Sequence, residues 1–382
     1  MLNKNIIGKI KLMTTKIGPL YEIIREIYYW KEFQLLKKTY YQVKKTGDAP
    51  LPEKVVLETT ARCNLNCKMC FFNRMAAVKP NELTFEEIKK IFSENDFKSV
   101  NLIGGEPMLK QNFFEILEFF DKRGINYDLA TNGTLINENN IQKLADCKGL
   151  VSVGMSIDGP EELHNQIRGM GNAYQKTINS FKLLNDKGIV NTIVTVIMKE
   201  NLPYLKHIVD IAHRNKIKFV YFEIERYYIS HELKESMRVL NFLQEDLDEI
   251  FPLTIVESYD RGYSYKELRY YLRKAQEYGK KKGVKVFFYP KFLMKELEDC
   301  YSRELRKNGQ YTCRFLNQAR IDPYGNVIHC VQMRKSFGNL RDNSFTDIWN
   351  SEDYKKFRIS FLENNILPIC ETCLNMVKIN DK

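Results

Sequence analysis

The run CNLNCKMC places three cysteines, Cys63, Cys67 and Cys70, in one short stretch. Clustered thiols in a chain without an export signal point to metal ligation rather than to disulfides. A structural zinc site or an ordinary iron–sulfur cluster takes four protein ligands. Here the next cysteine along the chain is Cys147, so either a distant residue completes the site or one metal position stays open. Cys313 and Cys330 come later, flanking an expected hairpin whose turn is DPYGN, and CETC supplies Cys370 and Cys373. Spacing alone suits that second set to zinc or to iron–sulfur equally. Three further short stretches stand out: GGEP (Gly104, Gly105, Glu106, Pro107), TNG with Asn132, and SIDG with Ser156 and Asp158.

The elements that must position these residues are β-rich runs alternating with helical ones. VVLETT, SVNLIGG, YDLATNG, VSVGMSIDG, TIVTVIM and FVYFEIE are six short strands, and LTFEEIKKIF and NFFEILEFFDKRG are helices between the first of them. Such alternation predicts a parallel sheet with crossover helices. Six units suit a partial (β/α)6 barrel better than a closed eight-unit one. In these folds chemistry sits at the C-terminal strand ends, and CNLNCKMC, GGEP, TNG and SIDG each follow a strand.

The whole chain is then expected to divide into an N-terminal helical extension (1–52), an α/β core (53–226), a helical connecting and substrate-facing segment (227–306) with one strand at VKVFFYP, and a small Cys-rich domain (307–382). In the extension, Ile6, Ile10, Met13, Ile17, Leu20, Ile24 and Ile27 recur at helical spacing, and Gly18-Pro19 should divide two helices. That pair should pack on the main domain, or lie as a basic amphipathic arm on an anionic membrane. The net charge of +11 owes more than half to residues 1–50, with ten Lys/Arg against four Asp/Glu. Nucleic acid is therefore not an expected partner. No apolar run is long enough for a transmembrane helix. The basic start lacks a continuous apolar core, so no signal peptide is expected and the location should be cytoplasmic.

With C-x3-C-x2-C, GGEP and SIDG in place, residues 53–226 resemble the radical S-adenosylmethionine (radical SAM) superfamily. The resemblance implies that Cys63, Cys67 and Cys70 hold a [4Fe–4S] cluster whose fourth iron chelates S-adenosylmethionine. Reductive cleavage would give a 5′-deoxyadenosyl radical that takes a hydrogen atom from the substrate. It also implies that Gly104, Gly105, Glu106 and Pro107 meet the methionine end of the cofactor. Ser156 and Asp158 would hold its ribose or carboxylate. SIDGPEELHNQIRG is similar to the anaerobic sulfatase-maturating branch, in which Ser156 and Arg168 would bind the methionine end. Asn132 lies near the same rim. The residue before the third cysteine is usually aromatic and packs on adenine; here it is Met69, whose thioether can fill that space, with Phe71 close by.

The second cysteine set resembles the auxiliary-cluster extension called SPASM in its full form and twitch in its half form. That implies Cys313, Cys330, Cys370 and Cys373 as four ligands of one auxiliary [4Fe–4S] cluster that relays an electron, donated externally by a flavodoxin or ferredoxin. Cys147 is expected in the core, and Cys300 is a candidate hydrogen-atom donor of the kind some radical SAM epimerases use. The expected activity is of oxidoreductase type: hydrogen abstraction followed by oxidation of a small metabolite, sugar or lipid headgroup. A peptide or protein maturase, a radical epimerase and a non-catalytic cluster-bearing electron carrier or scaffold are the competing readings.

Overall fold

The computed structural model describes residues 18–70, 80–226, 228–240, 255–256, 260–289, 294–330, 334–373 and 375–380. Helix α1 (Gly18–Thr46) is followed by β1 (Lys54–Glu58), α2 (Phe85–Glu94), β2 (Ser99–Ile103), α3 (Phe113–Lys122), β3 (Asn126–Thr131), α4 (Ile141–Ala145), β4 (Leu150–Ser156), α5 (Glu161–Arg168), α6 (Ala173–Asp186), β5 (Asn191–Ile197), α7 (Leu205–Arg214) and β6 (Phe219–Ile224). Then come β7 (Tyr228–Ile229), α8 (Ser230–Leu240), β8 (Ile255–Val256), α9 (Tyr265–Lys282), β9 (Lys285–Tyr289), α10 (Met294–Ser302) and α11 (Leu305–Asn308). The chain ends with β10 (Gln310–Cys313), β11 (Gln318–Ile321), β12 (Asn326–Ile328), β13 (Ser336–Asn339), α12 (Phe345–Trp349), α13 (Glu352–Glu363) and β14 (Met376–Asn380).

The six expected strands β1–β6 pair in parallel and in sequence order, forming an open sheet as the partial-barrel reading requires. One row of alternate side chains, including Val55, Leu57, Leu102, Leu129, Val153, Ile193 and Phe222, is fully buried beneath the helices. This is the period-2 pattern of a strand covered on that face. The sheet runs further than the sequence suggested. VKVFFYP forms β9, parallel to β6 at one end. At the other end β11 pairs in parallel with β1, and β12 and β13 follow antiparallel, giving ten strands in all. The Cys-rich segment is thus built partly onto the same sheet, and the DPYGN turn joins β11 to β12.

Residues 1–17 lie outside the described residues, and with them the first half of the apolar stripe. Of the stripe only Ile27 has a described side chain: it is 43% exposed, while Leu36, Tyr40 and Val43, on the opposite side of α1, are buried. The contacts of Tyr40 with Gln310 and of Lys37 with Asn380 tie that buried side to β10 and β14. A helix with apolar residues all round gives no single face to a periodicity argument.

Candidate active site at the C-terminal strand ends

The three-thiol loop leaves β1 at Glu58 and is held from both sides by backbone. On one side Gly105 N–H donates to Thr60 O at 2.8 Å and Glu106 N–H to Arg62 O at 2.8 Å. On the other, Lys68 N–H donates to Ile167 O at 2.9 Å. The glycines of GGEP serve this contact: a Cβ on Gly104 would stand 2.5 Å from Thr60 O, and one on Gly105 2.2 Å from Arg62 O. The cluster loop's own backbone thus demands glycine at both positions. Gly105→Ala is therefore expected to push the loop off the β2 end and to halve, or worse, the iron retained by the three-thiol set. Iron analysis of the reconstituted variant would check this, and an unchanged count would show that the loop adapts.

Side chains complete the clamp. Asn132 Nδ2 donates to Asn64 Oδ1 at 2.9 Å, and Asn64 Nδ2 donates to Thr134 Oγ1 at 2.8 Å. Leu65 N–H points at Cys63 Sγ at 3.4 Å, a bond that favours the thiolate. Cys67 is buried, whereas Cys63, Met69 and Cys70 are partly exposed. Phe71 lies outside the described residues. Burial pushes the Cys63 thiol up to about 11 and also raises Cys67, so binding of metal must displace protons from this loop.

Glu106 is fully enclosed and accepts from Thr131 Oγ1 at 2.6 Å, from Asn132 N–H at 2.8 Å and from Met108 N–H at 3.2 Å. Pro107, also buried, starts the short turn that follows. Ser156 ends β4, partly exposed. Asp158 is fully buried, with Oδ2 on Arg168 Nε at 2.5 Å. Arg168 in turn points Nη1 at Cys67 Sγ, 3.8 Å away. His164 Nδ1 lies 3.7 Å from the same Asp158 oxygen, and burial holds its pKa down to about 4, so it adds no charge at neutral pH. Asp158 Oδ1, buried as well, has no partner among the described residues. A donor from a bound cofactor would satisfy it. Asn64, Thr134 and His164 were not singled out by sequence reasoning. Only the positions of Asn64 inside CNLNC and of His164 inside SIDGPEELH hinted at them.

In the second set, Cys313 ends β10, Cys330 follows β12, and Cys370 and Cys373 share one turn, with Cys373 N–H donating to Cys370 O at 2.9 Å. Cys313 Sγ accepts from Phe315 N–H and Cys373 Sγ from Asn375 N–H, each at 3.4 Å, repeating the Cys63–Leu65 geometry. Burial and then neighbouring thiols raise Cys370 well above the ordinary range; Cys373, Cys330 and Cys313 all act on it, so the four share one neighbourhood. Among the described residues no three His, Cys, Asp or Glu converge tightly enough for one metal ion. A four-iron cube asks for less convergence, since each thiolate takes a separate iron. Cys300 is buried near this set, with Arg261, Cys373, Glu371 and Arg303 around it, and burial pushes it up to about 12. Cys147 is partly exposed at the α4 end, its Sγ bonded to Lys143 O.

Between the two cysteine sets runs a buried ionic contact. Glu58, fully buried at the end of β1, accepts from Arg320 Nη1 at 2.8 Å and from Arg334 Nη2 at 3.0 Å. Below the strand ends, the residues facing away from the helices line a cavity of about 610 Å³. Its walls include Asn101, Asp128, Ser152, Thr192 and Tyr221 from five neighbouring strands, with Arg314 beside Cys313. The inward side of α1, through Tyr28, Glu32 and Phe33, closes it. Lys54 fastens that wall by bonding both Glu32 and Tyr28. A closed barrel fills this space with branched apolar side chains; here it is open, with polar side chains set among apolar ones.

Comparison with known proteins agrees with this geometry. The family model described as Radical SAM superfamily matches residues 57–212, and the one described as SPASM, an iron–sulfur cluster-binding domain, matches residues 313–374. The AdoMet-dependent heme synthase of Oleidesulfovibrio alaskensis is 24% identical over 316 residues, covering 81% of this chain and 78% of its own. The antilisterial bacteriocin subtilosin biosynthesis protein AlbA of Bacillus subtilis is 24% identical over 317 residues, covering 80% of this chain and 61% of its own. Among solved structures, Streptococcus suis SuiB bound to precursor peptide SuiA superposes with a TM-score of 0.60 at 17% identity, over 85% of this chain and 71% of that one. No helix among the described residues is long and apolar enough to cross a membrane.

Proposed function

Because the chain belongs to the radical SAM superfamily and carries an SPASM cluster-binding domain, we propose that it oxidises a polar substrate held in the cavity on the inner face of the sheet. The radical SAM domain binds S-adenosylmethionine and a [4Fe–4S] cluster, and the SPASM domain binds auxiliary iron–sulfur. Cys63, Cys67 and Cys70 hold the first cluster; Cys313, Cys330, Cys370 and Cys373 hold an auxiliary one. When bound, the first cluster and S-adenosylmethionine supply the radical that removes a hydrogen atom from substrate.

The chain's own residues do the rest. Gly104 and Gly105, with Gly169, where a Cβ would stand 2.6 Å from Asn66 O, let neighbouring backbones hold the loop. Asp158 fixes Arg168 against Cys67 and turns its free oxygen to the cofactor. Ser156 and Asn132 line the same rim, Met69 flanks the adenine side, and Glu106 with Pro107 braces the Asn132 turn. The walls of Asn101, Asp128, Ser152 and Thr192 offer hydrogen bonds to hydroxyl, amide or amine groups. The enzyme takes its electron from a flavodoxin or ferredoxin and works in a reducing cytoplasm.

The single observation that carries this reading is the cavity on the inner face of the sheet, between the strands, the auxiliary segment and α1, whose walls carry Asn101, Asp128, Ser152 and Thr192. Its volume takes a small hydroxylated metabolite or headgroup. A second reading, a peptide substrate that places one residue there, draws on the likeness to AlbA and to peptide-bound SuiB. The two separate in one experiment. Anaerobically reconstituted protein receives S-adenosylmethionine, dithionite and deuterated pools of polyols, sugars or peptides. Deuterium in 5′-deoxyadenosine is expected from the true class alone. A fully iron-loaded chain that forms no deoxyadenosine would overturn both.

A further inference from the structure

Helix α1 is apolar on two opposite sides; among the described residues one side packs on the rest of the chain, and the other stands exposed apart from the bond that Tyr41 Oη accepts from Asn380 Nδ2 at 3.0 Å. Leu36, Tyr40 and Val43 are buried, and Tyr28, Glu32 and Phe33 line the cavity. The outward side follows the helical spacing Ile27, Trp30, Gln34, Lys38, Tyr41 and Lys45. There Ile27 is 43%, Trp30 61% and Tyr41 49% exposed, with Leu35 at 49% on its border. Lys31, Lys38 and Lys45 stand exposed among them, and the sequence holds no acidic residue between Glu32 and Asp48.

From this face we infer that α1 docks on an anionic lipid surface. Aromatic rings with a polar edge and lysines on flexible stems are the residues that settle at the boundary between headgroups and acyl chains. The charge is complementary to an acidic bilayer, where each lysine near the surface contributes about 1 kcal/mol. Other occupants fit less well. A single convex helix offers an extended or helical peptide neither groove nor strand edge. A second copy would bring lysines against lysines, since a two-fold contact pairs a patch with itself. Residues 1–17 carry Lys4, Lys9, Lys11 and Lys16 and no acidic residue, so their charge is no complement to this face. The inference stands apart from the catalytic reading, although the inner side of the same helix closes the cavity.

The chain has its own probe: its two tryptophans are Trp30 and Trp349, and Trp349 is fully buried. The reconstituted full chain is mixed with vesicles of phosphatidylcholine alone, or of phosphatidylcholine and phosphatidylglycerol in equal parts. Co-sedimentation with the anionic vesicles, a blue shift of Trp30 emission and loss of both at high salt are expected. Lys31→Gln with Lys38→Gln should weaken binding about 30-fold, the factor that about 2 kcal/mol gives. Ile27→Ser with Trp30→Ser should weaken it further, and both variants should cleave S-adenosylmethionine at the wild-type rate. Equal binding to both vesicle types, no binding to either, or self-association abolished by the same serine variants would overturn the inference, the last in favour of a second copy.

Discussion

Replacing Cys63, Cys67 and Cys70 together by alanine is expected to abolish 5′-deoxyadenosine formation while leaving the iron of the second set in place. Two [4Fe–4S] clusters carry about eight irons, and the variant should retain about four. The structure separates the sets: one loop is clamped between the β2 end and the α5 end, and the other joins β10, β12 and the turn at Cys370. Among the described residues no backbone contact that holds the first passes through a thiol of the second, so loss of one cluster should not unload the other. The converse variant, Cys370→Ala with Cys373→Ala, should keep cleaving S-adenosylmethionine without product and lose the auxiliary iron. Deoxyadenosine made by the triple variant at more than background would sink the assignment of these thiols. Wild-type protein with only four irons would sink the auxiliary cluster instead.

How far the chain could be read in advance follows from the range of the interactions involved. The strands β1–β6 announced themselves through local alternation, and CNLNCKMC, GGEP and SIDG through local residue types. What depends on pairing across long separations did not. Nothing near Glu58 signals that Arg320, 262 residues away, neutralises it. Nor does anything in QARI announce a strand that extends the sheet beside β1. The cavity walls become visible only with the register: Asn101 lies beside Asp128, and Asp128 beside Ser152. Each reads as an ordinary polar residue in its own strand. The two glycines of GGEP illustrate a subtler gap. Their type was legible, but the atoms that demand it, Thr60 O and Arg62 O, belong to a neighbouring strand end.

The ionic contact at Glu58 also gives the largest stability effect to be expected. Its carboxylate is fully buried, and the side chains of Arg320 and Arg334 are 8% and 7% exposed, so solvent screens little of the interaction. Removing one partner of such a group leaves a buried charge without its counter-ion and costs about 3–5 kcal/mol. In Glu58→Ala, Arg334 keeps Asp322 at 3.7 Å. Arg320 is left with Phe315, whose ring lies 5.0 Å beneath its guanidinium, which makes Arg320 the exposed weakness of the variant. Denaturant unfolding followed anaerobically should show the loss, and Glu58→Gln, which keeps the shape and an acceptor, should lose less. If the damage is an orphaned cation and not a missing volume, Glu58→Leu combined with Arg320→Met should recover much of it, because an ion pair replaced whole by apolar groups of similar size is often neutral. A Glu58→Ala protein within about 1 kcal/mol of wild type would mean that water reaches Arg320, and the contact would then be no tie between the three-thiol strand and the auxiliary segment. Should the loss appear as expected, a lower iron content at Cys313, Cys330, Cys370 and Cys373 in the same variant would follow, since β11 carries Arg320 and lies beside β12, which leads into Cys330.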